Sequence, residues 1–381
     1  MTAEPTLRLL SLGAGRQSTA LFILGCEGKF LPKLDGAVFA DTQWEPRHVM
    51  THLANLQQFG EEHGVPVYLA TKGSLPKDVL DPRVFATVPS WTKPKKWEIV
   101  PVEFGTCPAC AEARISYETS DGALWLDEAE SCPDCNGTRQ IPVRWEKRLR
   151  RTGEPGAIKR QCTPKYKIEV INSQVRLLLG AQSWEEPCRY CGASGERIAP
   201  WDPEAGIGPC SICRGTGIRR RVGPAPKGAF SEQWIGFSLD EELDRVTTAG
   251  FPRYETPRFP LCEVRWTVGD CEKFLAERGW QAEKSACIGC PFHEDDIWID
   301  MKRRDPEDFA DAVTFDYAHR EAPGLNVERY LHESREPLDI AVEKAERRMA
   351  ARGVRLQMWG ETPRKQPRGC SPYGCRAGEA A

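Results

Sequence analysis

Apolar and polar positions fall into regular blocks through the first 70 residues of the chain. Leu7 to Leu12 is a nearly continuous apolar run that reads as a buried strand. Thr19 to Cys26 reads as a helix, Gly36 to Ala40 as a second strand, Arg47 to His63 as a second helix and Val65 to Ala70 as a third strand. This βαβαβ rhythm predicts an α/β fold built on an open, mostly parallel, doubly wound sheet, whose ligands bind beyond the carboxyl ends of the strands. The loops after the first two strands, GAGRQST and DTQWEP, are therefore the places to look for chemistry. Past residue 80 the pattern turns irregular and rich in Pro, Trp and Lys. Helical spacing returns in Cys162 to Leu179 through Ile168, Ile171 and Val175. Ser231 to Phe237 then reads as a strand, Gly269 to Arg278 as a helix, and Ser285 to His293 as a tight cysteine loop. Residues 300 to 360 are charged and mostly helical in pattern, and Gly369 to Ala381 reads as a flexible tail.

Cysteine usage changes this picture. The 381 residues include sixteen cysteines, eight of them in four CxxC pairs. Cys107, Cys110, Cys132 and Cys135 form one quartet, and Cys188, Cys191, Cys210 and Cys213 a second. Both spacings suit a tetrahedral Zn²⁺ with four thiolate ligands, two Zn²⁺ in all, although nested pairing between the knuckles stays open. Cys210-Ser-Ile-Cys213-Arg-Gly-Thr-Gly217 is similar to the knuckle of DnaJ-type chaperone zinc domains. The start of the chain has no basic region leading into a long apolar run, and no segment reaches the roughly 18 apolar residues of a membrane span. A cytoplasmic protein with no membrane partner is expected, and in a reducing compartment the CxxC pairs read as metal thiolates.

Net charge is −3, yet Arg144, Lys147, Arg148, Arg150, Arg151, Lys159 and Arg160 cluster between the quartets, and Arg219, Arg220 and Arg221 follow the second. Such runs either track the phosphates of DNA or tRNA or form a solvated face beside a metal module. In the first loop, Gly13, Ala14, Gly15, Arg16, Gln17, Ser18 and Thr19 lie between strand and helix, where amides at a helix N-terminus suit phosphate. The loop is neither a Walker A sequence nor a GxGxxG turn, and a purely structural glycine turn is an equal reading. Asp41, Thr42 and Glu45 stand at the end of the second strand beside it.

These two loops resemble the PP-loop family, the adenine nucleotide alpha-hydrolase-like superfamily that includes N-type ATP pyrophosphatases and phosphoadenylylsulfate reductases. Against its SGGxDS pattern, Gly15 and Ser18 match, while Gly13 replaces the first serine and Gln17 the aspartate. The segments Arg160 to Ile168, Trp234 to Glu241 and Lys284 to His293 are similar to those of reductase-like proteins of bacteria and phages. The resemblance implies a PP-loop core in residues 1–105, 141–186 and 223–300. Zinc-ribbon inserts occupy 106–140 and 187–222, and 301–381 forms a helical C-terminal region with a tail.

The resemblance further implies that ATP or another adenine nucleotide, with Mg²⁺, occupies the loops carrying Gly13 to Thr19, Asp41 and Thr42. It implies a [4Fe–4S] cluster on Cys162, Cys287 and Cys290, which leaves one iron open unless Cys262, Cys271 or a tail cysteine completes it. Arg160, Lys165 and Lys167 flank Cys162, where cations bind phosphate or sulfate and lower a thiol pKa. Cys370 and Cys375 lie in the tail, where the related reductases carry a nucleophilic cysteine. The leading expectation is ATP-dependent adenylation of an acceptor such as DNA or tRNA, followed by thiolation. One alternative is a sulfonucleotide reductase using a tail cysteine; another is an inactive nucleic-acid-binding protein. A sulfur donor or a thioredoxin-like reductant is the implied partner, and a homodimer stays open.

Overall fold

The computed structural model describes residues 4–84, 86–94, 96–108, 138, 140–150, 156–158, 161–199, 206–241, 250–283, 285–320 and 327–351. The chain begins with β1 (Leu7–Leu12), α1 (Arg16–Cys26), β2 (Gly36–Asp41), α2 (Arg47–Glu62), β3 (Val67–Thr71) and α3 (Leu75–Leu80). The βαβαβ expectation thus corresponds to real elements, with small shifts at their ends. Helix α1 starts three residues earlier than the apolar pattern suggests, because Ser18 folds back on Gly15. Its hydroxyl accepts from the Gly15 amide and donates to the Gly15 carbonyl, each at 3.1 Å.

Four further strands, β4 (Ser90–Pro94), β5 (Lys96–Thr106), β6 (Gln140–Arg150) and β7 (Gly156–Ile158), lead to a π-helical turn, Thr163–Ile168, that runs into α4 (Glu169–Leu178). Next come β8 (Ser183–Pro187), β9 (Glu196–Ile198), β10 (Ile207–Pro209) and β11 (Ile218–Val222). β12 (Ser231–Trp234), β13 (Glu255–Arg258), α5 (Pro260–Glu263) and α6 (Val268–Glu277) follow. The described part of the C-terminal region holds α7 (Asp295–Arg304), α8 (Pro306–Arg320), β14 (Val327–Tyr330) and α9 (Leu338–Ala351). The tail expectation falls on residues outside the description.

The main sheet has five parallel strands in the order β13-β12-β1-β2-β3. Alternation along β1 and β2 sends Leu10, Leu12, Ala37 and Phe39 into a cluster with α1, α2 and α6. Leu9, Val38 and Ala40 face the other way, against Ile171 and Val175 of α4. Burial on both faces explains why these strands read as apolar runs rather than alternating ones. Cys26 and Cys271 belong to the first cluster, and burial pushes the Cys26 thiol up to about 12. Cys262 donates to the Phe237 carbonyl at 3.2 Å. Among the described residues, no helix is long and apolar enough to cross a membrane.

Residues Lys93–Glu154 form a compact unit of their own. In it β5 and β6 pair antiparallel, from Lys96 opposite Arg150 to Thr106 opposite Gln140. The sequence pattern looks irregular here because the register shifts between Pro101 and Phe104, which breaks the period of two.

Two buried histidines give the fold a pH dependence. His319 on α8 is fully buried, and neither ring nitrogen has a hydrogen-bond partner among the described residues. Burial, then the charge of Arg329, pulls its pKa from 6.5 down to about 3. His52 is drawn down to about 4, again mainly by burial. An unfolded chain protonates both below pH 6.5, whereas the folded chain resists until far lower. Their stabilisation is therefore complete above pH 6.5 and is lost as pH falls toward the folded values. Urea unfolding is expected to show His319→Leu losing less stability on acidification than wild type, by about 1 kcal/mol per pH unit below pH 6. Equal slopes would contradict this assignment.

Candidate functional site

Both loops at the carboxyl ends of β1 and β2 contain a non-glycine residue in the left-handed region, Ala14 at φ 54° and Gln43 at φ 56°. Gly13 and Gly15 have ordinary backbone angles, so their lack of a side chain serves close approach. A Cβ on Gly15 would lie 3.2 Å from Ser285 Oγ, and one on Gly13 would lie 3.5 Å from the same atom. Gly236 approaches from β12, where a Cβ would come within 3.1 Å of the Ser18 amide nitrogen. The α1 N-terminus is thus walled by the segment after β12 and by the segment leading into the cysteine loop. Arg16 pairs with Glu272 on α6, and Thr19 bonds His52 at 3.0 Å. Asp41 accepts from the Gln43 amide at 2.7 Å, closing the second loop.

Glu45 is the centre of the second loop. Its Oε1 accepts from Thr42 Oγ1 at 3.0 Å and from Cys287 Sγ at 3.5 Å, and lies 3.7 Å from Lys167 Nζ. Thr42 Oγ1 is itself 3.5 Å from Cys287 Sγ. The cysteine loop is held on this platform by the Ile288 amide, which donates to the Trp44 carbonyl at 2.8 Å. A Cβ on Gly289 would sit 2.1 Å from the Trp44 ring, so glycine alone fits there. The loop closes through the Cys290 amide on the Cys287 carbonyl, 3.1 Å, and through His293 Nε2, which donates to the same carbonyl at 3.0 Å. Cys162 packs against the cluster containing Trp44, Tyr166, Cys287 and Ile288. The structure therefore brings Cys162, Lys167, Thr42 and Cys287 into one region and leaves Lys165 half-buried on the π-helical turn.

The second quartet is a separate centre. The ligand atoms of Cys188, Cys191, Cys210 and Cys213 lie within 4.8 Å of one another and are placed to hold one metal ion, which pairs the knuckles within this quartet. The two knuckles are near copies. The Cys188 amide donates to the Gly217 carbonyl and the Cys210 amide to the Gly195 carbonyl, both at 2.7 Å. Ser194 and Thr216 hydroxyls each cap the second cysteine's carbonyl at 2.7 Å. The strand pairs β8–β11 and β9–β10 flank the centre. Arg214, next to Cys213, reaches Asp78 on α3 at 2.8 Å, and the Tyr166 hydroxyl donates to that same carboxylate oxygen at 2.5 Å. The second cysteine knuckle is thereby linked to the turn that carries Cys162 and Lys167. Burial and then Asp78 raise the Tyr166 phenol, so it stays a donor.

The chain matches no protein-family model, no curated protein and no solved structure. Cys110, Cys132, Cys135, Arg160, Cys370 and Cys375 lie outside the described residues, and Cys107 is buried at the end of its segment. The sequence places Glu45 with Asp41 and Thr42 at the end of the second strand but gives it no role as the shared acceptor, and it offers no sign of the Arg214–Asp78–Tyr166 link. Glu45 had a weak signal in its place beside Asp41 and Thr42 on a loop after a buried strand. Asp78 had none.

Proposed function

We propose that this chain is a PP-loop enzyme of the phosphoadenylylsulfate reductase-like group that binds an adenine nucleotide and transfers sulfur to a nucleic-acid acceptor. The observation that carries the reading is the contact of the glycine loop with Ser285, two residues before Cys287, which sets a phosphate-suited helix N-terminus beside a thiol-bearing loop. ATP would adenylate an oxygen of the acceptor with release of pyrophosphate, and a sulfur nucleophile would then displace AMP. The fully buried Ser238, whose hydroxyl is unbonded among the described residues, lies two positions beyond Gly236 and gives the nucleotide end a spare polar group.

Cys162, Cys287 and Cys290 fit an iron–sulfur cluster by donor chemistry, and such a cluster supplies sulfur or electrons when bound. Cys162 packs against the cluster that holds Cys287, and Cys290 closes the turn on the Cys287 carbonyl, which puts the three donors in one region. Lys167 faces the Glu45 carboxylate beside Cys287 and limits the negative charge near the thiolates. The second quartet takes zinc in this reading, as a closed four-thiolate site.

Anaerobic purification with iron, sulfide and zinc analysis tests the proposal. About four irons per chain are expected in the wild type and none in Cys287→Ala, together with ATP-dependent pyrophosphate release by the wild type and no sulfur transfer by the variant. Zinc without iron, or no pyrophosphate release with DNA or tRNA present, would sink the enzyme reading.

A further inference from the structure

The second quartet's strand pair carries an exposed surface that neither the metal centre nor the loop site uses. Cross-strand partners in β8–β11 share a face, which puts Arg219 opposite Glu186 and Arg221 opposite Trp184 on one side of the ribbon. Tyr190, between the first two cysteines of the quartet, extends this face. The Arg219 guanidinium lies 5.2 Å from its ring centre and that of Arg189 5.3 Å away. Tyr190 is 44% exposed and Trp184 48%. Two aromatic rings thus stand in solvent among three guanidinium groups. Glu186 is the carboxylate on this face, 3.5 Å from Arg221 Nε.

Exposed rings of this kind are costly without a use, because apolar surface gains from burial. A protein partner would cover such rings with apolar groups, but here their immediate neighbours are cations. That combination suits a polyanion that also offers flat π-faces. We infer that the Trp184, Tyr190, Arg189, Arg219 and Arg221 face is a docking surface for single-stranded nucleic acid. Bases would stack on Tyr190 and Trp184 while phosphates pair with the guanidinium groups. This rests on the proposed nucleic-acid acceptor and gives it a place on the molecule, yet the binding can be tested without any turnover.

The test is fluorescence anisotropy of labelled DNA and RNA single strands of about 16 nucleotides with the full chain and no ATP, from about 50 to 200 mM salt. Wild type is expected to bind with a steep salt dependence. Tyr190→Ala should weaken binding about tenfold at every salt concentration, by loss of one stacked base. The double variant R219A/R221A should flatten the log–log salt slope by about 1.4, the share of two phosphates on a single strand. Glu186→Gln should tighten binding. Zinc content matching wild type shows that each variant keeps its fold. Absence of wild-type binding at the lowest salt, affinities unmoved by these substitutions, or equal competition by polyglutamate would overturn the inference. Binding that persists in a chain releasing no pyrophosphate would leave it standing while removing the enzyme reading.

Discussion

Lys167→Met is expected to destabilise the chain by about 3 kcal/mol, because it leaves the Glu45 carboxylate buried without its cation. The Glu45 side chain is 2% exposed and that of Lys167 9%, so water compensates neither. The carboxylate oxygen that faces Lys167 also accepts from Thr42 and Cys287, and neither neighbour carries a positive charge. Without the ammonium group, the site holds an uncompensated buried charge, which carries a cost. The double variant Glu45→Gln, Lys167→Met removes both charges and should recover much of the loss. Urea unfolding of the four species gives the coupling, expected at about 2 kcal/mol or more. A coupling within about 0.5 kcal/mol of zero would mean that the pair is not an energetic unit. Pyrophosphate release should fall in Lys167→Met at urea-free conditions where circular dichroism shows it folded, since the same pair holds the loop under Cys287.

Gly217→Ala is expected to strip the metal from the second quartet. Gly217 lies at φ 71°, and a Cβ there would sit 2.3 Å from the Ala193 carbonyl oxygen. Gly195, at φ 80°, meets the Gly215 carbonyl at the same 2.3 Å. Each knuckle's last glycine therefore presses its backbone into the other knuckle, and the Cys188 and Cys210 amide bonds depend on that approach. An added methyl group must push the two halves apart, and four thiolates that no longer meet cannot share one ion. Gly192→Ala is the control, because Gly192 is also left-handed, at φ 57°, but has nothing within 4 Å of an added Cβ. It should cost only the backbone strain, about 1–2 kcal/mol, and keep its zinc. Metal analysis after gel filtration decides between them. Equal zinc retention by Gly217→Ala and Gly192→Ala would show that close approach is not what assembles the centre.

Loss of that centre should also be felt at the loop site. Arg214 holds Asp78, and Asp78 holds Tyr166 on the turn bearing Cys162 and Lys167. A metal-free variant that still folds gives up that bracing, so the knuckle acts as a support for the site as well as a staple for its own hairpins.

Much of the architecture was legible along the chain because it depends on short-range pattern. Leu7–Leu12 and Gly36–Asp41 are buried on both faces, so their apolar runs announce central parallel strands. The second quartet was legible because ligands three residues apart on tight turns can only converge locally. β13 was not legible, since Glu255–Arg258 is a polar edge strand containing Pro257, and only its pairing with β12 makes it a strand. The loop glycines serve close approach and not an unusual backbone angle. The left-handed positions belong to Ala14 and Gln43, while Gly15 is small because Ser285 arrives from far along the chain.

By itself, then, the sequence determined the parallel sheet, the two loops at its carboxyl edge and the four-thiolate knuckles, all of which rest on periodicity or on neighbours within a few residues. Tertiary structure alone decided that Glu45 meets Cys287 across 242 positions with Lys167 beside it, that Arg214 reaches Asp78, and that Arg219 crosses the ribbon to flank Tyr190. Such pairs leave no periodic trace, because a side chain's partner across the fold is set by how the sheet, the helices and the inserts pack, and not by its spacing along the chain.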